Sequence, residues 1–229
     1  MGARHGFRLE VWGDFALFTR PELTVDRVSY DVITPSAARG IITSIWWHPG
    51  MNYVIDRIHV LNPIRHTSIR RAEVTSKASA SQMRTAITRG RGLPHLDASR
   101  GSMLRGSLCL RDVRYVIDAH FDCDRALMGP QDNEKKFAAI LGRRLEKGQC
   151  QSQPYLGCRE FPCSFRPLNT NAPAPKGAYS QSGTMDMGMM LWGLDYSDAT
   201  CAPAGIDPCF YHAKMVDGVI DVAASEVFR

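Results

Sequence analysis

The sequence predicts an α+β fold: a ferredoxin-like (RRM-like, βαββαβ) domain with a long basic insertion and a small C-terminal antiparallel β-sheet. Three early segments support this. A strand starting at Phe7 alternates apolar and charged residues, as a half-buried strand does. A helix starts at Thr34-Pro35, a hydroxyl cap followed by a proline whose missing N–H is tolerated there. A second strand follows around 53–61. Strand, helix, strand is half of the ferredoxin-like order that RNA-recognition modules also use.

The first helix and the second strand each have a predicted buried face. The helix is expected to end at His48-Pro49-Gly50, because proline and glycine stop helices. Its buried face should consist of Ala38, Ile41, Ile42 and Ile45. In the strand, period-2 alternation places Val54, Asp56, Ile58 and Val60 on one side, and Tyr53, Ile55, Arg57, His59 and Leu61 on the other.

Residues 65–106 form the predicted basic insertion. They show weak periodicity and many Ser, Thr, Gly and Arg residues, which indicates a long, mobile segment between the second and third strands. Long loops in compact domains are usually functional. We therefore expect this insertion to carry a binding function.

The rest of the chain completes the two predicted domains. A third strand is expected at 107–123, then a helix capped by Asp132 and stopped by Gly148, then a fourth strand at 155–166. The domain boundaries are 1–168 for the ferredoxin-like domain and 177–229 for the small β-sheet domain, with a Pro- and Gly-rich linker between them. Within the second domain, Asp217-Gly218 predicts a hairpin turn.

Bulk properties narrow the class of protein. The chain has 229 residues, a net charge of +5 and 44% hydrophobic residues, enough for a packed core. It has no apolar run long enough to cross a membrane, and its first residues lack the apolar stretch of a secretion signal, so we expect a cytoplasmic protein. The seven cysteines lack zinc-site spacing and are expected to be reduced thiols. No metal or other cofactor is predicted.

Positive charge is concentrated in one part of the chain. Between Arg57 and Arg114 there are twelve Lys and Arg residues against three acidic ones, and eleven of the twelve are Arg. Arginine holds phosphate with two hydrogen bonds and stacks on bases, so this run favours nucleic-acid binding over a merely solvated surface. The predicted RNA-binding residues are Arg39, Arg65, Arg70, Arg71, Lys77, Arg84, Arg143, Arg144 and Lys147.

The amino-acid sequences of several segments resemble those of a known family. Residues 7–22 read FRLEVWGDFALFTRPE, and 35–41, 56–64 and 156–162 read PSAARGI, DRIHVLNPI and LGCREFP. These segments are similar to the Cas5d family, the crRNA-processing endoribonucleases of type I-C CRISPR systems. The resemblance implies a metal-independent enzyme of antiviral defence that cuts CRISPR repeat RNA (pre-crRNA) and keeps the 5′ handle of the crRNA. Its implied partners are the backbone and large subunits of the type I-C surveillance complex, and the insertion would lean on the handle as a thumb.

Cleavage of this kind needs a base for the 2′-OH proton, a cation for the charged phosphorane and an acid for the leaving 5′ oxygen. Lys136, at the start of the second helix, supplies the cation, and by resemblance it matches the family's catalytic lysine. The family's tyrosine falls on Trp46 and its histidine on Phe137, and neither replacement can shuttle a proton. Each aromatic ring is instead expected to stack on a base or to pack in the core.

Other residues must then replace the lost proton chemistry. His48 is the nearest candidate in sequence, and His66 and Tyr30 are the others. Two alternative functions stay open at this point. One is a non-catalytic crRNA-binding subunit of the same complex. The other is a general binder or nuclease of double-stranded nucleic acid, including double-stranded DNA.

Overall fold

The computed structural model describes residues 6–23, 25–75, 77, 79–90, 92, 101–195 and 207–229. In these residues it is a mixed α/β structure with three α-helices and one large, mainly antiparallel sheet. The helices are α1 (Pro35–Ile45), α2 (Ala80–Arg89) and α3 (Glu134–Glu146). The strands are β1 (Phe7–Ala16), β2 (Arg27–Val28), β3 (Met51–Val60), β4 (His66–Val74), β5 (Ser102–Cys123), β6 (Ser164–Leu168), β7 (Thr184–Asp195), β8 (Asp207–Val216), β9 (Val219–Asp221) and β10 (Val227–Phe228).

The long strand β5 organises the sheet. The main order is β10-β8-β9-β3-β5-β1-β6, and β7 joins through β8. The second half of β5 pairs with β1 and β3 in the body of the protein, whereas its first half pairs with β4. This division makes β4 and the start of β5 an arm that extends from the sheet.

The predicted buried face of the first helix is confirmed, but the predicted end of this helix is wrong. The Thr34 hydroxyl accepts a hydrogen bond from the Ala37 N–H, as the cap prediction requires. Its buried residues are Pro35, Ala38, Ile41, Ile42 and Ile45. The helix stops at Ile45 rather than at His48, because Trp46 already has an extended backbone.

The predicted alternation of the second strand is wrong in part. In β3 the buried side chains are Met51, Tyr53, Ile55, Ile58 and Val60. The buried positions therefore change from odd-numbered residues to even-numbered residues after Ile55. The pairing register with β5 shifts between Ile55 and Arg57. A bulge inserts one extra residue and moves every later side chain to the other face.

The insertion contains more regular structure than its sequence predicted. It includes β4, α2 and the first residues of β5, with Ser79 and Gly90 as the caps of α2. The strand was missed because successive β4 side chains are exposed or half-buried, which leaves no apolar face to detect. Residues 76, 78, 91 and 93–100 of the insertion lie outside the described residues.

Two predictions around the second predicted helix are corrected. The cap of α3 is Asn133, whose side-chain oxygen accepts from the Lys136 N–H, and not Asp132. The carboxylate of Asp132 is therefore not used for capping and can contact other side chains. The predicted fourth strand is β6, which begins at Ser164 rather than at residue 155, because residues before it form a turn around Gly157.

The C-terminal strands continue the main sheet. The Asp217-Gly218 turn is confirmed, since both residues have positive φ (49° and 83°) and connect β8 to β9. Strand β9 pairs with β3 through Ile58 and Ile220. The division into domains 1–168 and 177–229 stays a prediction. In the described part of the chain, no helix has the length and apolar character to cross a membrane.

Candidate functional site

Charged and aromatic side chains meet where the end of α1 faces the start of α3. Lys136 Nζ lies 2.9 Å from Asp132 Oδ1, and His48 Nε2 lies 3.7 Å from Asp132 Oδ2. Below them, the rings of Trp46 and Phe137 pack edge to face, with centroids 5.5 Å apart. We call His48, Asp132 and Lys136 the polar cluster. The polar cluster and this ring pair together contain the three family positions, Lys136, Trp46 and Phe137, and also His48.

Local structure explains why these residues converge. Trp46 leaves α1 in an extended conformation, and its carbonyl accepts a hydrogen bond from the Tyr53 hydroxyl at 2.9 Å. This contact fixes the chain that carries His48. On the other side, the Asn133 cap starts α3, so that Lys136 falls in the first turn.

The start of α3 makes the polar cluster a favourable place for negative charge. The unpaired N–H groups and the dipole of a helix give its first turn a partial positive charge, to which Lys136 adds a full one. The hydrogen bond from Lys136 is the largest cause that lowers the pKa of Asp132, and the Gly129 N–H and the charge of His48 lower it further. Lys136 is 46% exposed, so a substrate can reach its ammonium group.

One ring nitrogen of His48 has a hydrogen-bond partner in the backbone, and the other lies near the carboxylate of Asp132. His48 Nδ1 lies 2.9 Å from the Pro49 carbonyl oxygen, which can only accept a hydrogen bond. A proton on Nδ1 satisfies this contact, and in that tautomer of the neutral imidazole Nε2 is the acceptor. At 3.7 Å from Asp132 Oδ2, Nε2 makes no hydrogen bond to the carboxylate.

The two aromatic residues at the family positions lie in the core. Trp46 is 5% exposed and Phe137 is 1% exposed, and the His48 ring packs 5.0 Å from the Phe137 ring. Of the other candidates, His66 pairs with Asp31, and Tyr30 is buried beneath the Arg20 guanidinium. His48 is thus the proton-transfer candidate that the structure places beside Lys136.

The predicted cations of the insertion differ in their surroundings. Arg70 and Arg71 point to opposite faces of β4: Arg70 is exposed, whereas Arg71 binds Glu160 at 2.5 Å and lies over the Phe161 ring. Lys77 and Arg84 are exposed, the latter on α2. Arg65 is about half exposed, 4.0 Å from Asp112. Arg91 and Arg100, from the same basic run, lie outside the described residues.

The remaining predicted cations are on the other two helices. Arg39 of α1 lies over the Trp192 ring, 5.9 Å from its centroid. On α3, Arg143 and Lys147 are exposed, while Arg144 donates to the Ile45 carbonyl at the end of α1. Arg143 lies on α3 with Lys136, and Lys147 caps the end of the same helix, so one helix carries a candidate cleavage residue at its start and basic residues at its end.

Comparison with known proteins identifies the family. The model of a family described as "CRISPR-associated protein (Cas_Cas5)", named Cas_Cas5d, matches residues 6–223. The chain belongs to the Cas5d family. It is 44% identical to the "CRISPR pre-crRNA endoribonuclease Cas5d" of Mannheimia succiniciproducens, over 97% of this chain and 98% of that protein. It is 33% identical to the protein of the same name from Thermus thermophilus, over 96% of this chain and 92% of that protein.

Two solved structures share the fold of this Cas5d chain. One is a functionally uncharacterized protein from Streptococcus mutans, with a TM-score of 0.65 and 24% identity over 98% of this chain and 97% of that one. The other is a CRISPR-associated protein, with a TM-score of 0.66 and 21% identity over 98% of this chain and 96% of that one. The family model and the two curated relatives confirm the family resemblance predicted from the sequence.

Sequence reasoning missed the position of Asp132 in this Cas5d site. It was expected to cap α3, but it bridges Lys136 and His48 instead. The signal was present: Asp132 and Lys136 are four residues apart, the spacing of an ion pair at a helix start. In the described residues, no three His, Cys, Asp or Glu side chains meet in a way that could hold a metal ion.

Proposed function

We propose that this Cas5d protein is an endoribonuclease that cleaves CRISPR repeat transcripts (pre-crRNA) into crRNA without a metal ion. Both curated relatives, which the chain matches over nearly its whole length, bear the name CRISPR pre-crRNA endoribonuclease. The observation that carries the proposal is the polar cluster. It places an accessible imidazole and an ammonium group on either side of one carboxylate, although the tyrosine and histidine positions of the family hold Trp46 and Phe137.

Each residue of the polar cluster has a role in the proposed reaction. His48 Nε2 takes the proton of the 2′-OH, and the 2′ oxygen attacks the adjacent phosphorus in line. Asp132 stabilises the imidazolium that results. Lys136 and the start of α3 stabilise the extra negative charge of the phosphorane. The bond to the 5′ oxygen then breaks, and that oxygen takes a proton from solvent, which leaves a 2′,3′-cyclic phosphate and a 5′-OH.

Binding of the transcript is assigned to the two exposed basic surfaces. The arm of β4 and β5 presents Arg70, and the last turn and C-cap of α3 present Arg143 and Lys147. Cations of this kind neutralise phosphates and release counterions, which makes binding sensitive to salt. Arg71 contributes in another way: its pairing with Glu160 ties β4 to the turn before β6.

We further propose that the centre of the sheet is a ferredoxin-like unit. The strands β3, β5, β1 and β6 are neighbours in that order, and their pairings are antiparallel. Helix α1 connects β1 to β3, and α3 connects β5 to β6. This βαββαβ sequence of elements supports the proposal.

After cleavage, the protein is proposed to retain the 5′ handle and to join the backbone and large subunits of a type I-C surveillance complex. The extended arm is suited to this role because it projects from the body with exposed cations. Double-stranded DNA stays a predicted further ligand of the same basic surfaces, and a cytoplasmic location stays a prediction.

A second candidate function is a crRNA-binding subunit that does not cleave. The observation that favours it is the burial of Trp46 and Phe137, which removes both family positions for proton transfer from the surface. The two functions share the same ligand and partners. They differ only in whether His48 and Lys136 perform chemistry.

One experiment separates the two candidates. The purified protein is incubated with its own repeat RNA in EDTA, and in parallel with the same RNA carrying a 2′-deoxy nucleotide at the scissile position. Cleavage of the first RNA but not of the second supports the endoribonuclease. Tight binding of both RNAs without cleavage would overturn it in favour of the binding subunit. Cleavage that requires added metal, or that proceeds on the deoxy RNA, would contradict the mechanism.

A further inference from the structure

The sheet has a second face that the polar cluster does not use. In β1, Leu9 and Val11 lie in the core with the helices, whereas Glu10 and Trp12 alternate with them. Alternate side chains of a strand point to opposite faces, so Glu10 and Trp12 belong to the face away from α1 and α3. On that face lies a cavity of about 400 Å³.

A buried carboxylate forms the floor of this cavity. Glu10 is fully buried, and two arginines from the neighbouring strands bind it: Arg114 Nε at 2.5 Å and Arg166 Nε at 2.6 Å. Burial opposes ionisation of Glu10, but the hydrogen bonds and charges of Arg166 and Arg114 outweigh it and lower its pKa. The carboxylate is therefore held as an anion that fixes both guanidinium groups.

The bonds to Glu10 leave part of each arginine available. Both hydrogen bonds come from Nε atoms, so the terminal amino groups are not consumed by them. Arg114 is 43% exposed and Arg166 is 56% exposed, and both line the cavity. A guanidinium fixed in this way presents hydrogen-bond donors in one plane with little loss of side-chain entropy.

A flat aromatic surface completes the cavity. Trp12 is half-buried, and the Arg166 guanidinium lies over its ring, 5.8 Å from the centroid. Planar groups that stack on indole or on guanidinium planes are preferred ligands of such a surface. The cavity volume falls in the range of about 300–1,000 Å³ that is usual for small-ligand sites.

The charges of the cavity select the kind of planar ligand. Besides Glu10, the carboxylates of Asp14 and Asp112 line it, so it holds three acidic groups against two arginines. This balance disfavours a bare phosphate and favours a neutral group with both acceptors and donors. Guanine has both: its O6 and N7 accept from arginine, and its N1–H and amino group can donate to a carboxylate.

We infer that this cavity binds an unpaired guanine base of the bound RNA. The base stacks on the Trp12–Arg166 pair, accepts hydrogen bonds from Arg114, and donates to Asp112. The inference rests on the proposed function in that the guanine belongs to the CRISPR transcript. It adds a site for a single-stranded nucleotide on the opposite side of the sheet from the polar cluster.

Fluorescence anisotropy with short labelled oligonucleotides tests this assignment. The probes are uridine oligonucleotides with one central guanine, one central adenine or no purine. We expect the wild-type protein to bind the guanine probe at least about fivefold more tightly than the all-uridine probe, the lower end of what one stacked base contributes. Trp12→Ala and Asp112→Asn should each reduce this preference. Arg57→Ala, an exposed arginine that pairs with Asp221 outside the cavity, should keep it.

Two results would overturn the inference. One is equal affinity of the wild-type protein for all three probes. The other is a guanine preference that persists in Trp12→Ala and in Asp112→Asn, whose far-ultraviolet circular dichroism verifies folding. Asp112 is exposed, so its replacement leaves the core intact.

Cleavage of the repeat RNA by the same preparations separates this inference from the proposed function. A protein that prefers guanine through Trp12 but does not cleave would refute only the endoribonuclease. A protein that cleaves but shows no guanine preference would refute only the guanine site.

Discussion

Asp132 and Lys136 form an ion pair across the first turn of α3, with Oδ1 and Nζ 2.9 Å apart. The same carboxylate faces His48 through its other oxygen. Asp132 therefore connects the two residues that the proposed mechanism uses, one from the segment after α1 and one from α3.

Replacing Lys136 should impair cleavage much more than binding. Lys136→Ala removes the ammonium group that stabilises the phosphorane, so we expect the single-turnover rate to fall more than tenfold. The neighbouring Lys135 is also exposed and makes a matched control. Lys135→Ala should cleave at nearly the wild-type rate. An equal loss of cleavage rate in both variants would mean that cleavage depends only on the total positive charge of α3 and not on the position of Lys136.

The two adjacent arginines of β4 should behave differently. Arg70 is exposed, so Arg70→Gln should weaken RNA binding and reduce the salt dependence of the affinity by nearly one unit of the logarithmic slope. Arg71 is bound to Glu160, so Arg71→Gln should mainly lower the melting temperature. Titrations at several salt concentrations and thermal unfolding of both variants measure the two effects. A salt slope unchanged in Arg70→Gln would remove this part of the arm from the interface.

Gly157 should be essential for stability. Its φ is +84°, and a Cβ there would lie 2.0 Å from the Leu17 carbonyl oxygen. Gly157→Ala should therefore lower the free energy of unfolding by at least about 2 kcal/mol. Gly142, within α3, has open space around it, so Gly142→Ala should raise stability by about 1 kcal/mol. Urea denaturation of both variants gives their free energies of unfolding. Similar free energies for Gly157→Ala and Gly142→Ala would contradict the prediction.

Asp118 should make the fold sensitive to acid. Burial opposes its ionisation, but hydrogen bonds from His59 and Arg8 outweigh this and lower its pKa to about 2. Because this value lies below that of the unfolded chain, the stabilisation is complete above about pH 4 and is lost as the pH falls toward 2. We expect Asp118→Asn to cost up to about 2 kcal/mol at pH 7.

The pH dependence of that cost is the control. The difference in unfolding free energy between the wild-type protein and Asp118→Asn should shrink between pH 4 and pH 2. The exposed Asp112→Asn should show little difference at any pH. If the difference in unfolding free energy between the wild-type protein and Asp118→Asn stayed constant with pH, the ionised carboxylate would not be the source of the stabilisation.

Prediction from the sequence succeeded for the elements in which the local spacing of apolar residues matches the burial of those residues in the fold. The face of α1 and the Asp217-Gly218 turn were right because apolar spacing and turn chemistry are local signals. The parity of β3 was wrong because the bulge near Asp56 is set by pairing with β5, which the local pattern does not contain. The strand in the insertion was missed because neither of its faces is fully buried.

The candidate site was predicted in composition but not in arrangement. Lys136 and His48 were both named from the sequence, and the spacing of Asp132 and Lys136 is that of an ion pair, yet nothing local indicated that His48 would face the same carboxylate. That contact depends on where the end of α1 meets the start of α3. Glu10 is a similar case: its alternation placed it on the polar side of β1, but its burial arises from Arg114 and Arg166, which are more than 100 residues away.

The most direct test of the account is the cleavage rate of His48→Ala on the protein's own repeat RNA in EDTA, measured under single-turnover conditions with His66→Ala as the matched control. Because His48 supplies the base, its loss should slow cleavage by about 100-fold or more while RNA affinity is retained. His66→Ala should cleave like the wild type, since His66 pairs with Asp31 away from the polar cluster. Wild-type cleavage by His48→Ala would contradict the proposed site.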